Sequence, residues 1–428
     1  MDKWEPTRGD GIANRKNMEY LQMMNKVNGG KRMHVCMLAY SYYESDNRVR
    51  RYTETLLQQG HTVDVISVRT PSQGAFGSGR NLRVFRVQRR SPNEKARITY
   101  LMKLLLFSFK SLIIISFLHL RKRYDLVHVH NVPDFLVFSA LLPKLTGAKI
   151  ILDIHDILPE LYMSKFGASR ESFAFRALTF VEKLSAMWSD HVIVANHIWH
   201  TRYVARTAKA GKCTVIMNYP DDQIFFPREN NLQSPVFTFI YPGTLSWHQG
   251  VDIAVEAFAL LCRKTDKCRL EIYGHGPTKQ DLLALINKLG MQERIHIHDT
   301  VSRSKVASVM AKADCGVVPK RSNGFADEAF STKTWEFMAL GVPVIVPATT
   351  VDRYYFDDSR VLFFKPQDAQ DLADKMELMM ADSDLRRNLA SRGLVFSRNN
   401  SWSKKKVMYS DIVCSLFERP SFEQKRCA

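Results

Sequence analysis

Residues 328–346 read EAFSTKTWEFMALGVPVIV, and this stretch decides the fold of the chain. Its order predicts a polar loop, a short helix, a helix stop and a buried strand. Ser331 is a favoured N-cap for a helix over Thr332–Leu340, and Gly341 suits the left-handed residue that ends such a helix. The β-branched run at Val344–Val346 predicts a strand directly after it. A helix that leads at once into a buried strand is typical of alternating α/β architecture.

Two glutamates bracket the start of this helix. Glu328 lies just before it and Glu336 lies in its second turn, with seven residues between them. The open N–H groups and the positive dipole end favour a phosphate there, and a carboxylate on the helix can accept hydrogen bonds from a ribose diol. Lys333 adds an ammonium group at the same place. The alternative is a set of solvated surface side chains, which is the commoner state of these residue types.

The stretch resembles the Glu-x7-Glu motif of the retaining family 4 group of the GT-B glycosyltransferases. The resemblance implies that Glu336 holds the ribose of a nucleotide-sugar donor and that Glu328 lies beside the transferred sugar. It implies that the helix start, at Ser331 and Thr332, faces the diphosphate. It also implies retention of the anomeric configuration, with the departing phosphate taking the acceptor proton. Lys333 and the helix start would stabilise the leaving diphosphate, so no metal and no other cofactor is expected.

The composition of the chain limits the classes of partner that it can bind. The 428 residues carry a formal net charge of +18, which indicates an anionic partner such as nucleic acid, anionic lipid or a phosphorylated substrate. No RNA- or DNA-binding module is recognisable, so nucleic acid is not expected. The seven cysteines are scattered without a Cys-x-x-Cys pair, which argues against a disulfide framework or a structural zinc site. Residues 1–31 are polar and lack the apolar core of a signal peptide, so we expect a cytoplasmic location.

The start of the chain predicts a doubly wound domain. His34–Tyr40 is a predicted strand, Asn47–Gln59 a helix and Thr62–Val68 the next strand. The loop at Ser41–Asp46 has no glycine, whereas many members of the family carry a Gly-Gly pair there beside the donor phosphates. Arg48 either supplies charge in its place or is a solvated arginine at a helix start.

Residues 83–123 are strongly basic, with eleven lysines and arginines against one acid, Glu94. They include the apolar run Tyr100–Leu120, which Lys103 and Lys110 interrupt, so we do not expect a transmembrane helix. Two interpretations stay open. The run is either a basic amphipathic helix on an anionic membrane surface, or a packed helix of the N-terminal domain with a solvated basic rim.

Histidines mark the ends of two predicted strands. In the strand at 124–130, His128 and His130 alternate with two valines and therefore point to the same face. Such a pair can bind zinc, but no third ligand is evident nearby. His155 and Asp156 follow the strand at 149–154, and ligands of open α/β sheets bind beyond the carboxyl ends of strands.

The resemblance extends to this second strand end. The family places a histidine there beside the transferred sugar, and the segment HDILPE at 155–160 looks like that of bacterial exopolysaccharide and lipid-linked sugar transferases. We therefore predict His155, Asp156 and Glu328 as catalytic residues.

The second half opens with a predicted strand at Phe237–Tyr241 and a loop that departs from the family. The family usually carries an arginine and a lysine on the diphosphate there, and this chain has Thr244 and Gln249 after Gly243. We expect Lys333 to substitute for the missing charges. Three further cations are weaker candidates: His248, Lys320 and Arg321.

A second glycine turn follows the predicted strand at Cys268–Tyr273. Its sequence, Gly-His-Gly-Pro from Gly274, resembles the Gly-Asp-Gly-Pro turn that the family places near the base. The predicted donor-binding set is Glu336, Lys333, Ser331, Thr332, Gly243, Thr244, Gln249, Gly274 and Gly276.

We thus predict an α/β fold of two doubly wound, Rossmann-like domains facing across a cleft, the GT-B architecture. The expected divisions are a polar tail at 1–31, an acceptor-binding domain at 32–220, a nucleotide-sugar-binding domain at 221–400 and a helix at 401–428 that crosses back.

The predicted function is transfer of a sugar from a nucleotide-sugar, such as a UDP-sugar, to an acceptor hydroxyl on a glycan or polyprenyl-linked molecule. Bacterial-type polysaccharide or lipid-linked glycan synthesis, peripherally on the inner face of the membrane, is the expected setting. The alternatives are a nucleotide-sugar 2-epimerase, a GT-B phosphorylase, and an inactive or anionic-polymer-binding protein.

Overall fold

The computed structural model describes residues 32–70, 73–90, 97–167, 169–228 and 236–418. The expected tail at 1–31 and the last ten residues of the expected closing segment, 419–428, lie outside the described residues. The chain forms two compact units. Unit 1 runs to Asn218 and resumes at Lys405, and unit 2 is Tyr219–Lys404. These bounds differ from the expected divisions after 220 and 400 by two and four residues.

Unit 1 contains an eight-stranded sheet. Its strands are β1 (His34–Tyr42), β2 (Thr62–Arg69), β3 (Phe76–Gly79), β4 (Leu82–Arg89), β5 (Leu126–His130), β6 (Lys149–Ile154), β7 (His191–Val194) and β8 (Cys213–Val215). Their order across the sheet is β3-β4-β2-β1-β5-β6-β7-β8, and all described neighbours are parallel except β3 and β4. The order reverses between β1 and β5, as in a doubly wound sheet.

Helices connect these parallel strands. They are α1 (Asn47–Gln58), α2 (Arg97–Arg121), α3 (Leu141–Leu145), α4 (Leu158–Phe166), α5 (Phe173–Trp188) and α6 (His197–Arg206), with a 3-10 segment at Asp134–Ala140. The Asp46 carboxylate caps α1 by accepting from the N–H groups of Arg48 and Val49.

Pro143 lies inside the short helix α3, directly after the 3-10 segment. Proline is tolerated there because the first turn of a helix has no intrahelical acceptor for its missing N–H.

Unit 2 contains a six-stranded parallel sheet. Its strands are β9 (Phe237–Pro242), β10 (Cys268–Tyr273), β11 (Ile295–His298), β12 (Cys315–Val317), β13 (Val344–Pro347) and β14 (Leu362–Phe364). Its helices are α7 (Val251–Leu261), α8 (Lys279–Lys288), α9 (Arg303–Met310), α10 (Phe325–Glu328), α11 (Thr332–Leu340), α12 (Thr350–Tyr355), α13 (Ala369–Ala381) and α14 (Ser383–Asn399). The helix α10 lies where a polar loop was expected.

The strand order of unit 2 locates its binding edge. The order is β11-β10-β9-β12-β13-β14, so the winding reverses between β9 and β12. Ligands of open parallel sheets bind beyond the carboxyl ends of the strands at such a point. The loop after β9 holds Gly243, Thr244 and Gln249, and the segment after β12 leads to the start of α11.

The last helix, α15 (Trp402–Ser415), belongs to unit 1 from Lys405 onward. The Tyr409 hydroxyl lies 3.0 Å from Nδ1 of His128 on β5, and the Gln59 amide donates to the Ser410 hydroxyl at 2.7 Å. These buried polar contacts fix the helix on unit 1 because a buried hydroxyl or amide without a partner would be costly.

The long helix α2 packs one side against unit 1. Leu104, Phe107, Ile115 and Leu118 are buried, and the Phe107 ring lies 5.0 Å from that of Tyr40 on β1. By length and composition alone the stretch Thr99–Arg121 could cross a membrane, with a mean hydropathy of 2.0. Only 28% of its most apolar window is buried, and that the stretch does not span stays a prediction.

Candidate active site

The start of α11 lies at the binding edge of unit 2, and the helix is the one predicted, residue for residue. Trp335, Met338 and Ala339, at i, i+3 and i+4, are buried and form the core-facing side of the helix. The N-cap lies at the predicted residue, but its side chain does not make the hydrogen bond that is typical of a cap. Ser331 has the extended backbone of an N-cap, but its hydroxyl makes no cap hydrogen bond. This hydroxyl is buried and has no partner among the described residues, so the first turn keeps its N–H groups for a ligand.

Lys333 lies on the first turn of α11 and is held by the loop after β9. Its ammonium donates to Oε1 of Gln249 at 2.9 Å and lies 5.4 Å from the centre of the Tyr241 ring. Burial lowers the pKa of Lys333 to about 8, against the opposing effect of the Glu336 carboxylate. Lys333 is therefore a partly buried, positioned cation rather than a solvated surface lysine.

Gln249 is uncharged and does not replace a cation of the loop. It orients the Lys333 ammonium. Its Oε1 also accepts from the Tyr241 hydroxyl at 3.2 Å, and that hydroxyl lies 2.9 Å from the carbonyl oxygen of Thr244. The side chain of Thr244 is exposed. Sequence reasoning included Gln249 in the donor set but missed its contact with Lys333, since 84 residues separate the two.

Two of the other candidate cations have partners elsewhere. Lys320 is buried, and its ammonium lies 2.8 Å from the carbonyl oxygen of Ala329 and 3.1 Å from the Asp352 carboxylate. The Arg321 guanidinium makes two hydrogen bonds with the Asp252 carboxylate. These contacts hold the segment after β12 in place, and they leave Lys333 as the cation positioned at the helix start.

The glycines of the two loops allow backbone to meet backbone. A Cβ at Gly274 would lie 1.8 Å from the carbonyl oxygen of Gly243, and one at Gly276 would lie 2.0 Å from that of Leu245. The Gly243 N–H donates to the Tyr273 carbonyl at 2.8 Å. Gly274 and Gly276 therefore allow the close contact that positions the loop carrying Gln249, and the place of this turn near the base stays a prediction.

The two motif glutamates have different positions in unit 2. Glu336 is partly buried on α11 and acts electrostatically on Lys333, and its contact with a ribose stays a prediction. Glu328 is the last residue of the short helix α10, three residues before the N-cap Ser331. The chain thus presents a helix start, an ammonium group and two carboxylates along one short stretch.

In unit 1 the predicted His155 belongs to a buried polar cluster. Its Nε2 lies 3.1 Å from Oδ2 of Asp153 and 3.1 Å from Nδ1 of His130, which is itself 3.1 Å from the same Oδ2. Burial alone would raise the pKa of Asp153, but Arg48 and the imidazoles hold it well below its usual range. Since an ionised carboxylate only accepts, the ring nitrogens that face Oδ2 carry the protons, which fixes the orientation of His155.

Arg48 completes this cluster. Its Nε and Nη2 donate to the two oxygens of Asp153 at 2.6 and 2.7 Å, and both side chains are buried. The solvated alternative for Arg48 is wrong, because its guanidinium is buried and neutralises Asp153. That Arg48 supplies charge beside the donor phosphates stays a prediction. The signal available in the sequence was an aspartate inside an apolar strand, which requires a buried partner.

Asn131, which sequence reasoning also missed, clamps the end of β6. Its Oδ1 accepts from the backbone N–H of His155 at 2.7 Å, and its Nδ2 donates to the carbonyl oxygen of Asp156 at 2.6 Å. Burial raises the pKa of Asp156, while His155 opposes the rise. The structure therefore places His155 and Asp156 at a strand end whose backbone is fixed by β5.

The buried histidines are arranged like metal ligands, but the Arg48 guanidinium already lies beside them. His128, His130 and Asp153 each offer a ligand atom within 4.8 Å of the others, so the statement that no third ligand is nearby was wrong. Burial lowers the pKa of both histidines, so they are neutral. Both oxygens of Asp153 accept from Arg48, whose charge disfavours a metal ion at this place.

Two family models match the chain in tandem. The model for a glycosyl transferase 4-like domain matches residues 45–219, and the model for glycosyl transferases group 1 matches residues 222–394. The chain belongs to the family 4 type of GT-B glycosyltransferases.

Relatives of this glycosyltransferase chain include a eukaryotic one. The phosphatidylinositol N-acetylglucosaminyltransferase gpi3 subunit of Schizosaccharomyces pombe is 25% identical over 266 residues, which are 61% of this chain and 55% of that protein. The chain spans 38% to 55% of the lengths of the first curated relatives that it matches.

Solved structures share the fold. Sucrose-phosphate synthase from Thermosynechococcus elongatus superposes with a TM-score of 0.73 at 19% identity, covering 90% of this chain and 99% of that one. Anabaena Alr3699/HepE in complex with UDP-glucose superposes with a TM-score of 0.67 at 14% identity, covering 89% and 100%. At these identities the likeness concerns the fold.

This glycosyltransferase departs from its family in the loop after β9. Where the family usually carries an arginine and a lysine, Thr244 is exposed and Gln249 binds Lys333. Lys333 places a positive charge at the helix start, where the helix dipole favours an anion in the same way.

Proposed function

We propose that this chain transfers a sugar from a nucleotide-sugar donor to an acceptor hydroxyl. The observation that carries the proposal is the start of α11, where Gln249 holds the Lys333 ammonium at 2.9 Å beside open backbone N–H groups. A diphosphate fits this place because both the ammonium and the helix dipole favour an anion there. Glu336, in the next turn, is placed to accept hydrogen bonds from the ribose.

The chemistry that we propose is a metal-independent transfer with retention of configuration. Lys333 and the first turn of α11 stabilise the charge that develops on the departing diphosphate. On the family pattern, we assign catalytic roles in orienting the transferred sugar to His155 and Asp156 of unit 1 and to Glu328 of unit 2. His155 is suited to this role because Asp153 fixes its ring and leaves the other nitrogen for a ligand.

We further propose a lipid-linked or glycan acceptor at the cytoplasmic face of a membrane. A relative named for phosphatidylinositol supports the lipid class of acceptor. The basic residues of 83–123 would meet anionic headgroups. Nucleic acid is not part of the proposal.

Calorimetric titration with UDP and with GDP, without added metal, tests the donor site. We expect micromolar binding of one nucleotide and at least a tenfold loss of affinity in Glu336→Ala. The matched control is Glu377→Ala, because Glu377 forms an exposed pair with Lys264 in the same unit. Equal affinity in wild type and Glu336→Ala would refute the assigned ribose contact. Binding of neither nucleotide to the folded chain would refute the donor site as a whole.

A further inference from the structure

Unit 1 exposes many large apolar side chains on three neighbouring elements. These are α2, the 3-10 segment with α3, and α5. The exposed residues are Leu101, Met102, Leu105, Leu106, Phe109, Ile113, Phe117 and Leu120 on α2, Phe138, Leu141 and Leu145 on the 3-10 segment and α3, and Phe173, Phe180, Leu184 and Met187 on α5. We call this set the apolar face.

The three elements adjoin in the fold. The Ser139 hydroxyl of the 3-10 segment donates to the Ser108 carbonyl of α2 at 3.0 Å. The 3-10 segment also contacts α5, because the ring of its Phe138 lies 5.8 Å from that of Trp188 at the end of α5. The 3-10 segment therefore joins two helices that are far apart in sequence into one surface.

The apolar face is too large for an ordinary soluble surface. With about 150–250 Å² for a fully exposed aromatic side chain, it exposes on the order of 1,000 Å² or more of apolar area. The largest apolar patch on a typical monomer is roughly 300–600 Å². Phe173 is 87% exposed and Met187 is 71% exposed, values that are unfavourable in water without a partner.

The charged side chains that these elements expose are positive. The only two acids in their sequences, Asp134 and Glu182, are both buried. On α5, the exposed Arg176 and Lys183 alternate with Phe173, Phe180 and Met187 along one side of the helix. Apolar side chains interleaved with cations suit a surface that is anionic at the headgroups and apolar beneath them.

We propose that the apolar face lies in the interface of an anionic lipid bilayer, with the exposed side chains of α2, the 3-10 segment, α3 and α5 inserted among the lipids. The helix α2 lies along this interface, because its buried side rests on the core of unit 1. The sequence placed a membrane contact only within 83–123, and the structure adds α5 and the 3-10 segment. The proposal does not depend on the catalytic activity of the chain.

Vesicle sedimentation tests the proposal. We expect the full chain to bind vesicles of phosphatidylcholine with phosphatidylglycerol, and to bind pure phosphatidylcholine at least tenfold more weakly. The decisive variant changes α5 alone, Phe173→Ser/Phe180→Ser/Met187→Ser, and should bind the anionic vesicles at least tenfold more weakly. The matched control, Leu283→Ser/Leu378→Ser/Val395→Ser, removes exposed apolar groups of unit 2 and should bind like wild type.

A second measurement separates insertion from adsorption. The variant Phe180→Trp should show additional fluorescence quenching by lipids brominated in the acyl chains, relative to wild type. Unchanged vesicle binding by the α5 variant, or no additional quenching, would overturn the proposal. So would a dimeric wild type that the α5 variant converts to a monomer without any vesicle binding, since the face would then cover a second copy. Nucleotide titration of the same variant reports separately on the donor site.

Discussion

One side chain, Lys333, supplies the titratable positive charge of the proposed donor site. Burial brings its pKa to about 8, so it changes charge within an accessible pH range. The phosphates of UDP carry full charge above about pH 7.5, which leaves Lys333 as the group that titrates. A bound diphosphate favours the ammonium form, so binding above the pKa requires the uptake of a proton.

We predict that UDP affinity begins to fall as the pH approaches the pKa of Lys333, has about halved at pH 8, and then falls by up to about tenfold per pH unit. Calorimetry between pH 7.5 and 9.5 measures this slope. Lys333→Arg keeps its charge throughout and should bind with no such slope, and Lys333→Gln should bind weakly at every pH. A slope that persists in Lys333→Arg would assign the titration to another group.

Asp153 is the residue on which the polar cluster of unit 1 depends. It accepts from Arg48, His130 and His155, and it is completely buried. Asp153→Asn leaves the Arg48 guanidinium buried without a counter-charge, and we predict a loss of about 3–5 kcal/mol in the free energy of unfolding. Urea denaturation measures the loss. Glu54→Gln breaks the exposed pair with Arg50 and should cost less than about 1 kcal/mol.

At the scale of elements, two loops and one helix start make up the donor site. The turn after β10 supports the loop after β9, and that loop supports Lys333 on α11 through Gln249. The loops approach so closely that there is no room for one methyl group between them. We therefore expect a substitution in the turn after β10 to displace the loop that holds Lys333.

We predict that Gly276→Ala weakens UDP binding and destabilises the protein by about 1–3 kcal/mol, because its Cβ would overlap the Leu245 carbonyl. Gly211→Ala is the control, since a Cβ there meets nothing within 4 Å. Thermal unfolding and nucleotide titration measure the two effects. Wild-type affinity in Gly276→Ala would show that the loop can move without displacing Lys333.

At the scale of the whole molecule, the two sheets differ in strand number but share one feature of their winding. In both sheets the strand order reverses beside the first strand, at β1 and β5 in unit 1 and at β9 and β12 in unit 2. The residues assigned to chemistry follow strands near these reversals. Each unit therefore contributes polar side chains from loops that rigid parallel strands hold in place.

We predict that sugar transfer by the whole enzyme persists in EDTA within about twofold, because Lys333 and the helix dipole supply the positive charge at the diphosphate. A coupled assay for released nucleoside diphosphate, with and without chelator, measures it. Loss of activity in EDTA with recovery on adding Mn²⁺ would refute the metal-independent mechanism.

The sequence by itself determined the elements that local signals control. The helix Thr332–Leu340 and the strands Lys149–Ile154 and Cys268–Tyr273 were predicted with their observed bounds. Caps, stops and hydrophobic periodicity act over a few residues, so they can be read without knowledge of the fold. The order of these elements, with the Glu-x7-Glu motif, was enough to predict two parallel sheets and the family.

Only the tertiary structure decided which side chains meet. Arg48 and Asp153 are 105 residues apart, and Gln249 and Lys333 are 84 apart. Pairing at such separations depends on the sheet order and on burial, which makes an unpaired charge costly and selects its partner. The apolar face has the same origin, since the fold decides which side of α2 and α5 it covers and which side it leaves exposed.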